Sequence, residues 1–135
     1  MKNPFVIFHQ TPPLFDIDLI SLTSQYRALV TNHHPDKGGD IVTMEDINAA
    51  YNSLKNPIKR ARALVELHDI HITDEETLSD PEILEEIFEL RMSGDGALVQ
   101  QKQQEALTTF KEIIVSKNKE AMLPAYWRLL YFSKL

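Results

Sequence analysis

His34, Pro35, Asp36 and Lys37 stand inside the stretch "NHHPDKGGDI", Asn32 to Ile41, which joins two segments of helical pattern. An imidazole and a carboxylate on either side of a proline suit more than one chemistry. The plainest use is a helix stop and turn, with Asp36 capping and His34 solvated. A metal site would gather His33, His34 and Asp36 with His68 or His71, all permissible ligands. Against it, the chain has no cysteine and no H-E-x-x-H spacing. A hydrolase would add a nearby Ser or Thr to His34 and Asp36, but nothing resembles a nucleophile elbow or an oxyanion loop. The residues alone therefore imply no metal, no cofactor and no catalytic group.

The elements that must position this run are helical. There is no Asn-Gly hairpin turn and no sustained β-branched alternation, so the expected fold class is all-α. "PFVIF" suits one short helical turn, ended by "QTPP". Leu19, Leu22, Tyr26, Leu29 and Val30 then fall at helical spacing, with Asp18 placed to cap, which predicts a helix from about Leu19 to His33. Pro35 stops it, because the residue before a proline avoids the α region. Gly38-Gly39 permits a sharp reversal, and Asp40 can cap the next helix. In that helix Ile47, Ala50, Tyr51, Leu54, Ile58, Ala61 and Val65 keep one helical phase across Pro57, where a kink or brief break is expected. At 1.5 Å per residue that run is about 27 Å long. The two helices form an antiparallel hairpin with "HPDKGG" at its tip.

"HDIHITDEETLSD" carries no apolar stripe and reads as a linker. We place a first domain at 1–72, the linker at 73–79 and a second domain at 80–135. Asp80 followed by Pro81 is a strong helix start. That helix ends near Met92, where "SGDG" turns the chain. A further segment holds Leu98, Leu107, Phe110 and Ile113 or Ile114. Its opening turns, "VQQKQQE", are weakly apolar and are expected to project beyond the core. The last segment, from about Glu120, holds Met122, Tyr126, Trp127 and Leu130, with Pro124 in its opening turn. Three helices with short turns suggest a small antiparallel bundle.

Composition bounds the function. The 135 residues are 43% hydrophobic and 25% charged, ordinary for a soluble globular protein. No apolar run approaches the ~18–20 residues that cross a bilayer, and the N-terminal stretch lacks the features of a leader, so the chain is expected to stay where it is made or to be already processed. The net charge of −6 argues against nucleic acid. The charge is uneven: residues 74–135 carry seven Lys/Arg against twelve Asp/Glu, eight of them between Asp74 and Glu89, while all five histidines precede residue 73. This split suggests two working halves.

The run His34-Pro35-Asp36-Lys37, preceded by "YRALVTNH" and followed by "INAAYNSLKNPIKRA", resembles a J-domain, the module by which co-chaperones activate DnaK-type ATPase chaperones. The resemblance covers roughly Phe5 to Val65. It implies that the tripeptide, with Lys37 and Arg27, contacts the chaperone and stimulates its ATP hydrolysis, so the reaction occurs on the partner. Pro35 fixes the backbone and presents His34 and Asp36 at a defined angle, which lowers the ordering cost of binding. Asp36 can form a bidentate charge-assisted pair with a partner arginine. J-domains usually have a distinctly basic second helix; here that helix offers Arg27 alone. Lys55, Lys59, Arg60 and Arg62 lie on the next, so electrostatic steering is expected to be weaker or moved there.

At about 100° per residue, Ile83, Ile87 and Leu90 share one side of the helix that begins at Asp80, and Leu84, Phe88 and Arg91 form an adjacent stripe. Glu82, Glu85, Glu86 and Glu89 take the far side. The apolar-plus-Arg arc spans about 160°, wider than a core-facing helix requires. Either both stripes are core, or Leu84 and Phe88 stay exposed as a protein-binding patch.

"NPIKRARALVELHDIHI", an acidic linker and "DPEILEEIFELR" together resemble HscB, the J-protein family of iron–sulfur cluster assembly. The likeness implies an L-shaped pair of domains whose C-terminal three-helix bundle binds an IscU-type scaffold and delivers it to an HscA-type chaperone. The implied scaffold contacts are Leu84, Phe88, Glu89 and Arg91, with Tyr131 from "RLLYFSKL". Bacterial cytoplasm and mitochondrial matrix both fit. Some features depart from the pattern. Gly38-Gly39-Asp40 is closer to generic J-domains, Glu85 stands where an apolar contact is common, and the final helix is expected to be short.

Overall fold

The computed structural model describes residues 3–33, 41–73 and 78–135. Among them are seven helices and no strand, the all-α class expected. The chain divides into two compact units, 1–67 and 68–135, so the division falls a few residues before the expected boundary at 72.

In the first unit, helix α1 (Pro4–Ile7) is a single turn whose cap, Asn3, accepts from the Phe5 amide at 2.9 Å. It delivers Phe5 and Phe8 to the interior. Helix α2 spans Leu19–His33 and α3 Ile41–Lys55. As expected, Asp18 caps α2, accepting from the amides of Ile20 and Ser21. Tyr26 bonds Asn48 through its hydroxyl at 2.6 Å and stacks on Tyr51 with ring centres 4.0 Å apart, while the earlier Thr23 meets the hydroxyl of the later Tyr51. Partners thus run in opposite order along the two helices, which makes the pair antiparallel. Asn56 interrupts the long apolar phase and caps α4 (Pro57–Glu66), accepting from Ile58 and Lys59. The break at Pro57 is therefore real, and it is supplied with a cap. Leu22, Ile47, Ala50, Leu54, Ala61, Leu64 and Val65 are buried with the two phenylalanines.

Arg60 corrects the expected basic surface of this unit. Its side chain is buried. Nε donates to the Leu54 carbonyl at 2.8 Å, one Nη donates to the Phe15 carbonyl at 2.8 Å, and the guanidinium lies 5.0 Å from the Phe15 ring centre. Burial pushes its pKa below the ordinary arginine value, and Asp16 pulls it partly back. Arg62 pairs with Glu66 one turn on. Of the four cations expected to steer a partner, Arg60 is withdrawn into the fold and Arg62 is engaged by Glu66.

The second unit holds α5 (Pro81–Ser93), α6 (Gly96–Ser116) and α7 (Lys119–Phe132). Asp80 caps α5 and Asp95 caps α6 through side-chain oxygens. Between them Gly94 takes φ 62°, the left-handed cap that glycine adopts without penalty. Ile83, Ile87 and Leu90 of α5 share a core with Ala106 of α6 and Phe132 of α7. Leu78, placed in the linker by sequence, is buried in this same core. Leu98 and Val99 pack against it too, and Gln103 donates from mid-α6 to the Phe132 carbonyl at 2.7 Å. The opening of α6 therefore packs rather than projects: two apolar residues and one amide suffice to hold it. Pro124 also differs from expectation. Helix α7 starts at Lys119, which puts the proline in the second turn, inside the helix, where it removes one backbone hydrogen bond.

Candidate functional site

Two sets of residues carry the expected function. In the first, His34, Pro35, Asp36 and Lys37 lie outside the described residues. Arg27 is exposed on α2, and its carbonyl accepts from the Thr31 hydroxyl one turn later. No three His, Asp or Glu come together as a metal-ligating group among the described residues.

In the second set, α5 separates the two stripes. Ile83, Ile87 and Leu90 are buried, whereas Leu84 is 45% exposed and Phe88 63% exposed, with Arg91 open to solvent. Of the two uses open to the wide apolar arc, the helix buries one stripe and displays the other. A buried stripe of three aliphatics satisfies the bundle, so the leucine and phenylalanine are left over from folding. Apolar side chains exposed side by side on one helix face form the kind of patch that marks an interaction surface. Met92 extends the same stripe by one more turn and is 72% exposed. Sequence reading missed it, although its position four residues after Phe88 was the available signal.

The glutamates of α5 do not share one role. Glu86 accepts from Arg128 Nε of α7 at 2.8 Å, and Glu82 lies 3.8 Å from the same guanidinium. These two help fasten α5 to α7. Glu85 and Glu89 are exposed, and they flank the displayed apolar stripe with negative charge. Glu89 also borders a cleft of about 730 Å³ between α5, α6 and α7, floored by Leu90, Leu98, Ala106, Pro124 and Ala125.

Tyr131 sits on α7, half-buried. It packs against the common core, with its ring 5.9 Å from that of Trp127 and the Lys134 ammonium 4.9 Å from its centre. Leu84, Phe88, Glu89 and Arg91 thus lie together on exposed surface of one helix, while Tyr131 reaches the surface from another that shares its core. No described helix is long and apolar enough to cross a membrane.

No family model matches the chain. Among curated proteins it is 38% identical over 101 residues to a co-chaperone protein HscB homologue of Neisseria meningitidis, covering 67% of this chain and 60% of that one. It is 37% identical over 99 residues to the HscB homologue of Vibrio vulnificus, covering 66% and 57%. The chain thus spans about 60% of the length of the curated relatives it matches. Among solved structures it is similar to the chaperone HscB from Vibrio cholerae, with a TM-score of 0.76 at 25% identity over 98% of this chain and 92% of that one. The human co-chaperone protein HscB superposes with a TM-score of 0.80 at 22% identity, covering 99% and 78%.

Proposed function

We propose that this chain, a homologue of the HscB co-chaperones, is an adaptor with no reaction of its own. It binds an IscU-type iron–sulfur scaffold protein through Leu84, Phe88, Glu89, Arg91 and Tyr131. It delivers that scaffold to a DnaK/HscA-type ATPase chaperone, whose ATP hydrolysis it stimulates through His34, Pro35, Asp36 and Lys37 with Arg27. A bacterial cytoplasm or a mitochondrial matrix suits this role alike.

One observation carries the docking half of the reading: α5 folds with three aliphatics and leaves Leu84 and Phe88 in water. A docked apolar anchor rimmed by charge is how protein interfaces concentrate their binding energy. The chaperone half is supported by the homology and by the His-Pro-Asp-Lys run. Joining both activities in one chain raises the effective concentration of scaffold at the chaperone, with no large conformational change required.

The test is chaperone ATPase turnover with the chain, with IscU-type scaffold, and with both. Synergy between the two is expected. Stimulation that ignores the scaffold would point instead to a J-domain protein with another client, and no stimulation in any mixture would overturn the reading.

A further inference from the structure

We propose that Met92 is a peroxide-sensitive modification site, at which oxidation of the thioether to the sulfoxide weakens docking on α5. The inference rests on the scaffold-docking reading given above.

Access comes first. Of the methionines whose side chains are described, Met122 is fully buried, Met44 is half-buried and Met92 is 72% exposed. Exposure governs which thioether an oxidant reaches. Position comes second. Successive i+4 steps on a helix advance about 6 Å and rotate only about 40°, so Leu84, Phe88 and Met92 make one apolar ridge about 12 Å long. Met92 is therefore both the most accessible described sulfur and the end of the ridge offered to a partner.

The chemistry balances with hydrogen peroxide as oxidant. A sulfur lone pair attacks one peroxide oxygen, the O–O bond breaks and an S–O bond forms. Proton transfer then releases water. Sulfur loses two electrons and peroxide gains them.

The product is a strong hydrogen-bond acceptor where an apolar group stood. Its helical neighbours at i−3 and i−7 are Glu89 and Glu85, both exposed. Ionised carboxylates only accept hydrogen bonds, so neither can satisfy the new oxygen. A partner closing over the ridge would have to strip water from this acceptor where it had met an apolar thioether, and of the charged neighbours only Arg91 could offer it a donor. The exposure of Met92 also spares the fold: the core of the second unit does not use this side chain.

The experiment treats the full chain with hydrogen peroxide and maps added oxygen by peptide mass spectrometry. Binding of IscU-type scaffold is then measured by calorimetry before and after treatment. The chain carrying Met92→Leu is treated in parallel and compared with its own untreated form. Met92 is expected to gain one oxygen ahead of Met44 and Met122, with thermal unfolding unchanged. Scaffold affinity should fall about fivefold or more, the scale of losing one interface anchor. Methionine sulfoxide reductase should restore it, and Met92→Leu should be insensitive to treatment. Unchanged affinity after oxidation at Met92, an equal fall in Met92→Leu, or loss of the fold would overturn the proposal while leaving the docking reading in place. Failure of the untreated chain to bind scaffold would overturn both.

Discussion

The buried guanidinium of Arg60 donates to the carbonyl of Phe15, forty-five residues earlier, at 2.8 Å. With its second bond to the Leu54 carbonyl it fastens the segment before α2 to the end of α3. Replacing it by methionine keeps much of the apolar stem but leaves two carbonyls without their donor. We expect Arg60→Met to lower stability by about 2–4 kcal/mol in urea unfolding, as for other buried charged groups whose bonds are lost. Arg60→Lys should recover less than half of the loss, because an ammonium lacks the planar fork that serves two acceptors at once. Unfolding of the methionine variant at the wild-type urea concentration would contradict the role.

Phe88 and Ile87 are neighbours in sequence with opposite surroundings, and they offer a paired test. Phe88→Ala should cost about 1–3 kcal/mol of scaffold binding and leave unfolding nearly unchanged. Ile87→Ala empties a buried site and should cost about 2–4 kcal/mol of stability. Calorimetric binding and chemical unfolding on both variants separate the roles; a marked loss of stability in Phe88→Ala would mean that its ring supports the fold.

Asp36 calls for a change of charge without change of shape. Asp36→Asn should reduce chaperone ATPase stimulation about ten- to a hundredfold, the range for removing a charge-assisted hydrogen bond. Scaffold binding should be untouched, since the proposed docking residues lie on α5 and α7. A stimulated rate equal to wild type would remove the assignment of His34–Lys37 as the chaperone contact.

The Arg128 pair with Glu86 joins α7 to α5 at a half-exposed position. Solvent screening limits what it contributes. Arg128→Ala should cost about 0.5–1 kcal/mol at low salt, and the difference from wild type should shrink in 1 M salt. A cost independent of salt would assign the effect to the arginine stem rather than to its charge.

Much of this fold is legible in the sequence because its signals are local. Asp18, Asn56, Asp80 and Asp95 cap helices from one position outside them, and the Asp80-Pro81 pair marks the start of α5 directly. What sequence could not decide is non-local. Arg60 reads as a surface cation until a carbonyl far away in the chain arrives beside it. Leu78 reads as linker because a single apolar residue has no periodicity. On α5, the 160° arc shows that the helix has more apolar surface than one neighbour covers. Which stripe is covered depends on where α6 and α7 lie, so Ile83 and Leu84 are indistinguishable by pattern and opposite in fate. Pro124 reads as an opening-turn residue because α7 begins after Asn118 without any side-chain cap to announce it.

Gln103 gives the second unit an unusual dependence. The carbonyls of a helix's last turn have no partner within the helix, and here the Phe132 carbonyl is held from the side by an amide halfway along a different helix. The tail of α7 is thus latched from the side as well as closed locally, where the Lys134 amide donates to the Tyr131 carbonyl and the Leu135 amide to that of Phe132. A conservative-looking change at this one glutamine would cut the sideways bond and leave the Phe132 carbonyl to the Leu135 amide alone, from a distance of twenty-nine residues.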